Sequence, residues 1–194
     1  MTGASAAVGG DTPTDTWQRT STPASTIGPW LPEGDLGVRL AAGLGRVEEA
    51  LRTAVGSEHE FVREAAGHLV AAGGKRFRPL LALLAAQFGP AADSPQVIDA
   101  AVVVELTHLA SLYHDDVMDE ATLRRGADSA NARWDNHVAI LAGDWLFSKS
   151  SELTARLGPE AVRIQAETFT RLVEGQILET LPPAAGGAAP NIAP

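Results

Sequence analysis

The chain has 194 residues, a formal net charge of −9 and no cysteine. At this length one ordered domain with flanking segments is expected, and the acidic balance disfavours nucleic acid as a partner. Without cysteine there are no disulfides and no thiolate metal sites, which fits a cytoplasmic protein. Met1 to Gly10 carries neither the basic nor the apolar region of a secretory signal. No run reads as long enough for a transmembrane segment.

Residues 1–34 are rich in Thr, Ser, Pro, Gly and Ala and read as a disordered leader, with Trp17 and Trp30 isolated within it. From Asp35 the pattern turns helical. Leu36, Leu40, Leu44, Val47 and Leu51 recur every three or four residues, and Asp35 is the expected N-cap. A second helix is expected from about Glu58 to Ala72, ended by Gly73-Gly74. Arg78-Pro79 opens a third, with proline in the first turn, where its missing N–H does no harm. Ser94-Pro95 repeats that signature and starts a helix reaching about Asp119. Further helices are expected from Trp134 to Leu157 and, after the Gly158-Pro159 break, to about Leu181. No alternating strand pattern is found, so residues 35–181 read as one all-α bundle. Residues 182–194 form a low-complexity tail of Pro, Ala and Gly.

Asp115, Asp116 and Asp119 sit at i, i+1 and i+4 near the end of the long apolar helix. Two like charges about 4 Å apart repel by roughly 4 kcal/mol at an effective dielectric near 20, so a cation is expected there. Hard oxygen ligands with room for water suit Mg²⁺, which commonly bridges carboxylates to a substrate's phosphates. By itself such a cluster is more often a solvated helix end. Upstream, Glu105, His108, Leu112, Asp115 and Asp119 follow at spacings of three and four and share one face. A polar stripe on an apolar helix of this kind usually lines a cavity. His108 alone would read as a satisfied core histidine; the acids on its stripe favour a site.

Two basic clusters complete the pattern. Gly73-Gly74-Lys75-Arg76-Phe77-Arg78-Pro79 puts three cations in a glycine-bearing turn before a helix, the makings of an anion site. Arg124-Arg125-Gly126 follows the aspartates, either as their local ion-pair partner or as a second anion-binding pair. Metal-binding acids together with two cationic clusters imply two polyanionic substrates.

Gly-Gly-Lys-Arg-Phe-Arg-Pro, Glu-Leu-x-His-x-x-Ser-Leu-x-His-Asp-Asp-Val-x-Asp-Glu and Arg-Arg-Gly occur here in the order and spacing of the trans-isoprenyl diphosphate synthases. Asn131-Ala132-Arg133-Trp134, Gly143-Asp144-Trp145-Leu146 and Glu174-Gly175-Gln176 extend the resemblance, which spans about residues 38–180. The chain resembles the N-terminal portion of that polyprenyl synthetase family. The resemblance implies an isoprenoid-synthase-type helix bundle that is incomplete at its C-terminal side. It implies a Mg²⁺-dependent prenyltransferase that condenses an allylic diphosphate with isopentenyl diphosphate. Asp115, Asp116 and Asp119 would hold Mg²⁺ and be the catalytic acids. Lys75, Arg78, His108 and Arg125 would hold isopentenyl diphosphate, Arg124 would join the allylic diphosphate, and Arg76 would be a further substrate-binding residue. The family's chain-length position, five residues before the first aspartate, is Ala110, followed by Ser111; two small residues there imply a long polyprenyl product.

Members of that family are substantially longer and carry a second aspartate-rich motif on a later helix, which this sequence lacks. Two readings follow. One is a truncated long-chain prenyltransferase. The other is a catalytically incomplete fragment or a diphosphate-binding partner subunit, and a homodimer or heteromeric partner is expected in either. A terpene cyclase would share acidic motifs and an α-helical fold, but it has no use for the basic turn paired with His108.

Overall fold

The computed structural model describes residues 31–181. Apart from its last four positions, the leader expected over residues 1–34 lies outside the described residues, as do Trp17, Trp30 and the tail expected over 182–194. The described residues form seven helices: α1 (Asp35–Ala54), α2 (Glu60–Ala71), α3 (Phe77–Ala86), α4 (Pro95–Met118), α5 (Ala130–Arg133), α6 (Asn136–Leu157) and α7 (Pro159–Thr180). A short hairpin of β1 (Leu123–Arg124) and β2 (Ala127–Asp128) separates α4 from α5.

Local signals set most of these boundaries. Pro95 occupies the first turn of α4, and the Asp135 carboxylate accepts the Val138 N–H at 2.8 Å to cap α6. Two expectations are corrected at helix starts. Asp35 is the first helical residue rather than the cap, which is Gly34. The helix expected from Trp134 starts instead at Asn136, where Asp135 caps it, and a separate short turn capped by Ser129, α5, precedes Trp134.

The expectation of a chain without strands is likewise corrected by the hairpin. Two-residue strands are too short to show alternation in sequence. Its two central residues, Arg125 (φ 54°) and Gly126 (φ 80°), both adopt the left-handed conformation that a tight primed hairpin turn requires.

α4 is the central helix and packs along α6 and against α3 and α1. Val102, Leu106, Leu109 and Tyr113 of α4 meet Leu40, Leu44, Val47 and Leu51 of α1, Leu69 of α2 and Leu146 of α6 in one apolar core. Tyr113 is fully buried, and its hydroxyl donates to the Ala65 carbonyl at 2.5 Å. Gly143 allows α4 and α6 to approach, since a Cβ there would lie 3.2 Å from the Ala110 carbonyl and would strike the His114 ring.

A further expectation fails for the same helix. At 24 residues, α4 is long and apolar enough to cross a membrane by length and composition alone. Half of that apolar window is buried inside the bundle, and it is the core helix that carries Glu105, His108, Asp115 and Asp116. The isolated window looks membrane-like because a central helix is apolar on most sides. α7 is the opposite case. It leans on α6, buries none of its residues, and leaves Ile164, Leu172, Ile177 and Leu178 exposed.

Candidate active site

The basic turn between α2 and α3 and the β1–β2 hairpin close on one another. Gly73 and Gly74 have φ of 79° and 148°, and the Arg125 guanidinium lies close against Gly74. A Cβ at Gly74 would stand 2.8 Å from Arg125 Nη1, a contact the arginine's flexible end can relieve, so it is the φ of 148° that favours glycine here. Arg125 Nη1 donates to the Gly73 carbonyl and, at 3.4 Å, to that of Leu69. Its Nη2 lies 3.6 Å from Glu105 Oε1. Burial lowers the Arg125 pKa, against the pull of Glu105.

Arg76 occupies a different place from the other cations of its cluster. It is buried, has φ of 49°, and commits its guanidinium wholly to the protein. Nε donates to Glu48 at 2.5 Å, Nη1 to Glu105 at 3.0 Å and to Gly73 O at 3.3 Å, and Nη2 to Glu48 at 3.3 Å and to Val70 O at 3.2 Å. Burial works to lower its pKa, but the two carboxylates outweigh that and hold it raised. Those five bonds explain how a non-glycine residue is kept in a left-handed conformation that costs of order 1–3 kcal/mol. They also give every N–H of the guanidinium a protein acceptor. Lys75 in the turn and Arg78 in the first turn of α3 are instead exposed, and no acidic side chain of the described residues pairs with either.

Exposure rises along the polar stripe of α4. Glu105 is buried, His108, Leu112 and Asp115 are half-buried, and Asp119 is exposed as the C-cap. The His108 pKa is pushed down to about 4, first by burial and then by Arg78, Arg125, Arg124 and Arg76. His108 is therefore a neutral hydrogen-bonding group at pH 7, set among four guanidinium groups. The stripe and both basic clusters converge on it.

Asp115 has a raised pKa, because burial and the neighbouring Asp119 and Asp116 disfavour its charge while Arg124 opposes them. Asp116 is fully buried. Its Oδ1 lies 2.5 Å from both Nε and Nη2 of Arg124, and its Oδ2 is buried without a partner among the described residues. Of the two roles open to the hairpin arginines, Arg124 thus takes the local ion pair, whereas Arg125 turns to Glu105 and the α2 carbonyls. A desolvated carboxylate oxygen lacking a donor, beside two further repelling carboxylates, fits a hard divalent cation such as Mg²⁺. Among the described residues no three metal-ligating side chains already converge on one point. Completing a coordination shell would require Arg124 and the side chains of Asp115 and Asp119 to adjust.

An apolar groove opens from the acids between α4, α6 and α7. One cavity of about 420 Å³ is lined by Asp115, Ser111, Met118, Ile140 and Leu172, among others. A second, of about 580 Å³, reaches Thr107, Ser151 and Gln165, and the two share His114, Phe147 and Phe169. Those three rings follow one another at tilted angles, with centroids 5.6 Å (His114–Phe147) and 4.5 Å (Phe147–Phe169) apart. Ser111 lines this groove. Ala110 does not; it is fully buried in the core. The groove aromatics and Glu48 carried no functional reading in the sequence. Glu48 had one available signal: it lies four residues after Leu44 and three before Leu51, an acid on the apolar face of α1.

Residues 59–188 match the profile of the family described as Polyprenyl synthetase. The chain is 53% identical over 160 residues to nonaprenyl diphosphate synthase of Mycobacterium tuberculosis, covering 82% of this chain and 48% of that protein. It is 48% identical over 139 residues to heptaprenyl diphosphate synthase component 2 of Geobacillus stearothermophilus, covering 71% and 43% of the two chains. Its fold matches a crystal structure of geranylgeranyl pyrophosphate synthase from Corynebacterium glutamicum complexed with calcium and isoprenyl diphosphate. That match has a TM-score of 0.70 and 52% identity over 80% of this chain and 47% of the other. The chain thus spans about half the length of the curated relatives it matches.

Proposed function

The chain belongs to the polyprenyl synthetase family, and from that premise we propose that it condenses an allylic prenyl diphosphate with isopentenyl diphosphate. One observation carries this reading: Asp115 stands at the mouth of an apolar groove, so a charged head and a long hydrocarbon tail are accommodated by one continuous surface. In the reaction, the C–O bond to the allylic diphosphate breaks, and the isopentenyl double bond forms a C–C bond to the freed carbon. The proton lost afterwards leaves with the released diphosphate. Asp115, Asp116 and Asp119 would hold Mg²⁺, which when bound supplies Lewis-acid withdrawal of charge from the leaving group.

Around that centre the protein's own groups act by charge and position. Arg124, now on Asp116, lies where an allylic diphosphate would compete for it. Lys75 and Arg78, exposed and without acidic partners, bind the isopentenyl diphosphate together with Arg125. His108, neutral among the arginines, donates a hydrogen bond to it without adding charge. Arg76 stays braced on Glu48 and Glu105 and holds the turn beneath them. The product is a long polyprenyl diphosphate. Support comes from the second cavity beyond the His114–Phe147–Phe169 rings, which extends the groove well past the first.

The exposed apolar residues of α7 favour an assembly. Ile164 and Leu178, which line neither cavity, stand on a helix none of whose residues is buried, and further helical chain, in a homodimer or a heteromeric partner, would cover them. A relative named as component 2 of a heptaprenyl diphosphate synthase is consistent with the heteromeric form.

Incubation with Mg²⁺, farnesyl diphosphate and labelled isopentenyl diphosphate, followed by lipid extraction, tests the reading. Elongated polyprenols after phosphatase treatment are expected, either from the chain alone or from the chain with a complementing subunit. The absence of product in both, together with no binding of either diphosphate, overturns it.

A further inference from the structure

Behind the site, α2 grips the hairpin through a residue that contacts no proposed ligand group. His68 Nε2 lies 2.7 Å from the backbone carbonyl of Asp128, the last residue of β2. A carbonyl only accepts, so His68 donates from Nε2, and its Nδ1 carries the lone pair. That lone pair faces Arg133 Nη1 at 3.4 Å, while Arg133 Nη2 pairs with Glu64. The His68 ring meets Trp134 edge-on at 5.2 Å, and the Arg133 guanidinium lies 4.6 Å over the same indole. Glu64, His68, Arg133 and Trp134 therefore form a latch between α2 and the segment that follows the hairpin.

Asp128 is paired across the hairpin with Leu123, next to Arg124, and the turn between the strands is Arg125-Gly126. The other tethers of the arginines lie inside the site: Asp116 for Arg124, and Glu105 with the Leu69 and Gly73 carbonyls for Arg125. Those are the partners an incoming diphosphate would compete with. The bond from His68 to Asp128 lies outside that exchange and acts on backbone rather than on a guanidinium. We propose that His68 is a positioning residue: it pins the hairpin backbone to α2 so that Arg124 and Arg125 can change partners without the hairpin drifting. This rests on the diphosphate reading above for its purpose, but not for its geometry.

His68→Phe keeps the ring against Trp134 and removes the donor, whereas His68→Gln keeps a donor at about the reach of Nε2. Two measurements separate anchor from packing. One is the affinity for inorganic pyrophosphate with Mg²⁺ by calorimetry; the other is backbone amide exchange across residues 122–129, where the Ser129 N–H bonds the Thr122 carbonyl. His68→Phe is expected to weaken pyrophosphate binding about tenfold, in line with the loss of one ordinary hydrogen bond. It should speed exchange in the hairpin while leaving α4 unchanged, and His68→Gln should restore both. Wild-type affinity and hairpin protection in His68→Phe would overturn the proposal, as would equal losses in the two variants. A wild-type chain that binds no pyrophosphate overturns the diphosphate reading instead, and hairpin exchange then decides the anchor by itself.

Discussion

Arg76 Nη1 and Glu105 Oε1 stand 3.0 Å apart in the interior, joining the basic turn to the central helix. The same carboxylate oxygen lies 3.6 Å from Arg125 Nη2, so one acid ties together two cationic segments 49 residues apart in sequence. Glu48 completes the charge balance from α1. Such a group of buried charges does not make the fold stable in any simple sense, since desolvation offsets much of the attraction. Its effect here is geometric: it sets where the backbone carrying Lys75, Arg78 and Arg124 can lie.

Removing Glu105 should therefore cost more than an ordinary surface pair. Glu105→Ala leaves Arg76 and Arg125 facing each other in the interior, and a loss of about 3–5 kcal/mol in unfolding free energy is expected. Urea denaturation measures it, and a midpoint equal to that of the wild type would show that the network is not holding the turn.

His108 makes stability depend on pH in a predictable direction. Its pKa is about 4 in the folded chain against a reference of 6.5. Above 6.5 both folded and unfolded chains hold it neutral, and its contribution is fully present. Between 6.5 and 4 the unfolded chain takes up a proton that the folded chain refuses, so stability falls as the pH is lowered through that window. Denaturant midpoints measured from pH 7 to 4.5 should decline more steeply for the wild type than for His108→Gln. Parallel curves would mean that neither burial nor the four arginines hold this ring neutral.

Asp116 has one oxygen on Arg124 and one without a partner, and this predicts how ligand should stabilise the protein. Adding Mg²⁺ together with pyrophosphate should raise the thermal midpoint by mass action. Asp116→Asn preserves the size of the side chain but removes its charge, and the rise should disappear. A variant that responds like the wild type would place the metal elsewhere.

Ala110 and Ser111 are neighbours with different fates. Ala110 is fully buried in the core, so Ala110→Phe should overpack it and cost about 1–3 kcal/mol or more. Ser111 lines the groove, so Ser111→Phe should fill the first cavity, cost less stability, and shorten the products of an active preparation. Product chromatography beside thermal melts tests the pair. Shortened products from a stable Ala110→Phe would return the stopping position to Ala110.

The helices were legible because their signals are local. Leu40, Leu44, Val47 and Leu51 repeat at helical spacing, Gly73-Gly74 ends α2, Pro95 begins α4 and Gly158-Pro159 separates α6 from α7. The Asp115, Arg78 and Arg124 clusters were equally visible as chemistry. The hairpin was not, because strands of two residues carry no period, and Asp135 concealed a second helix start behind Trp134.

By itself, then, the sequence determined an all-α chain, its helix order, and the residue types able to meet Mg²⁺ and diphosphate, since periodicity, caps and charge spacing act over a few residues. Only the tertiary structure decided which of those charges remain open to a ligand. Lys75, Arg76 and Arg78 look alike in a line of text. Arg76 alone is spent inside, because its acceptors Glu48 and Glu105 arrive from 28 and 29 residues away once α1 and α4 have packed against the turn. In the same way, Ala110 and Ser111 are both buried, but Ala110 packs into the core with its carbonyl close to Gly143 of α6, whereas Ser111 lines the first cavity, a division that arises only once α4 and α6 have packed.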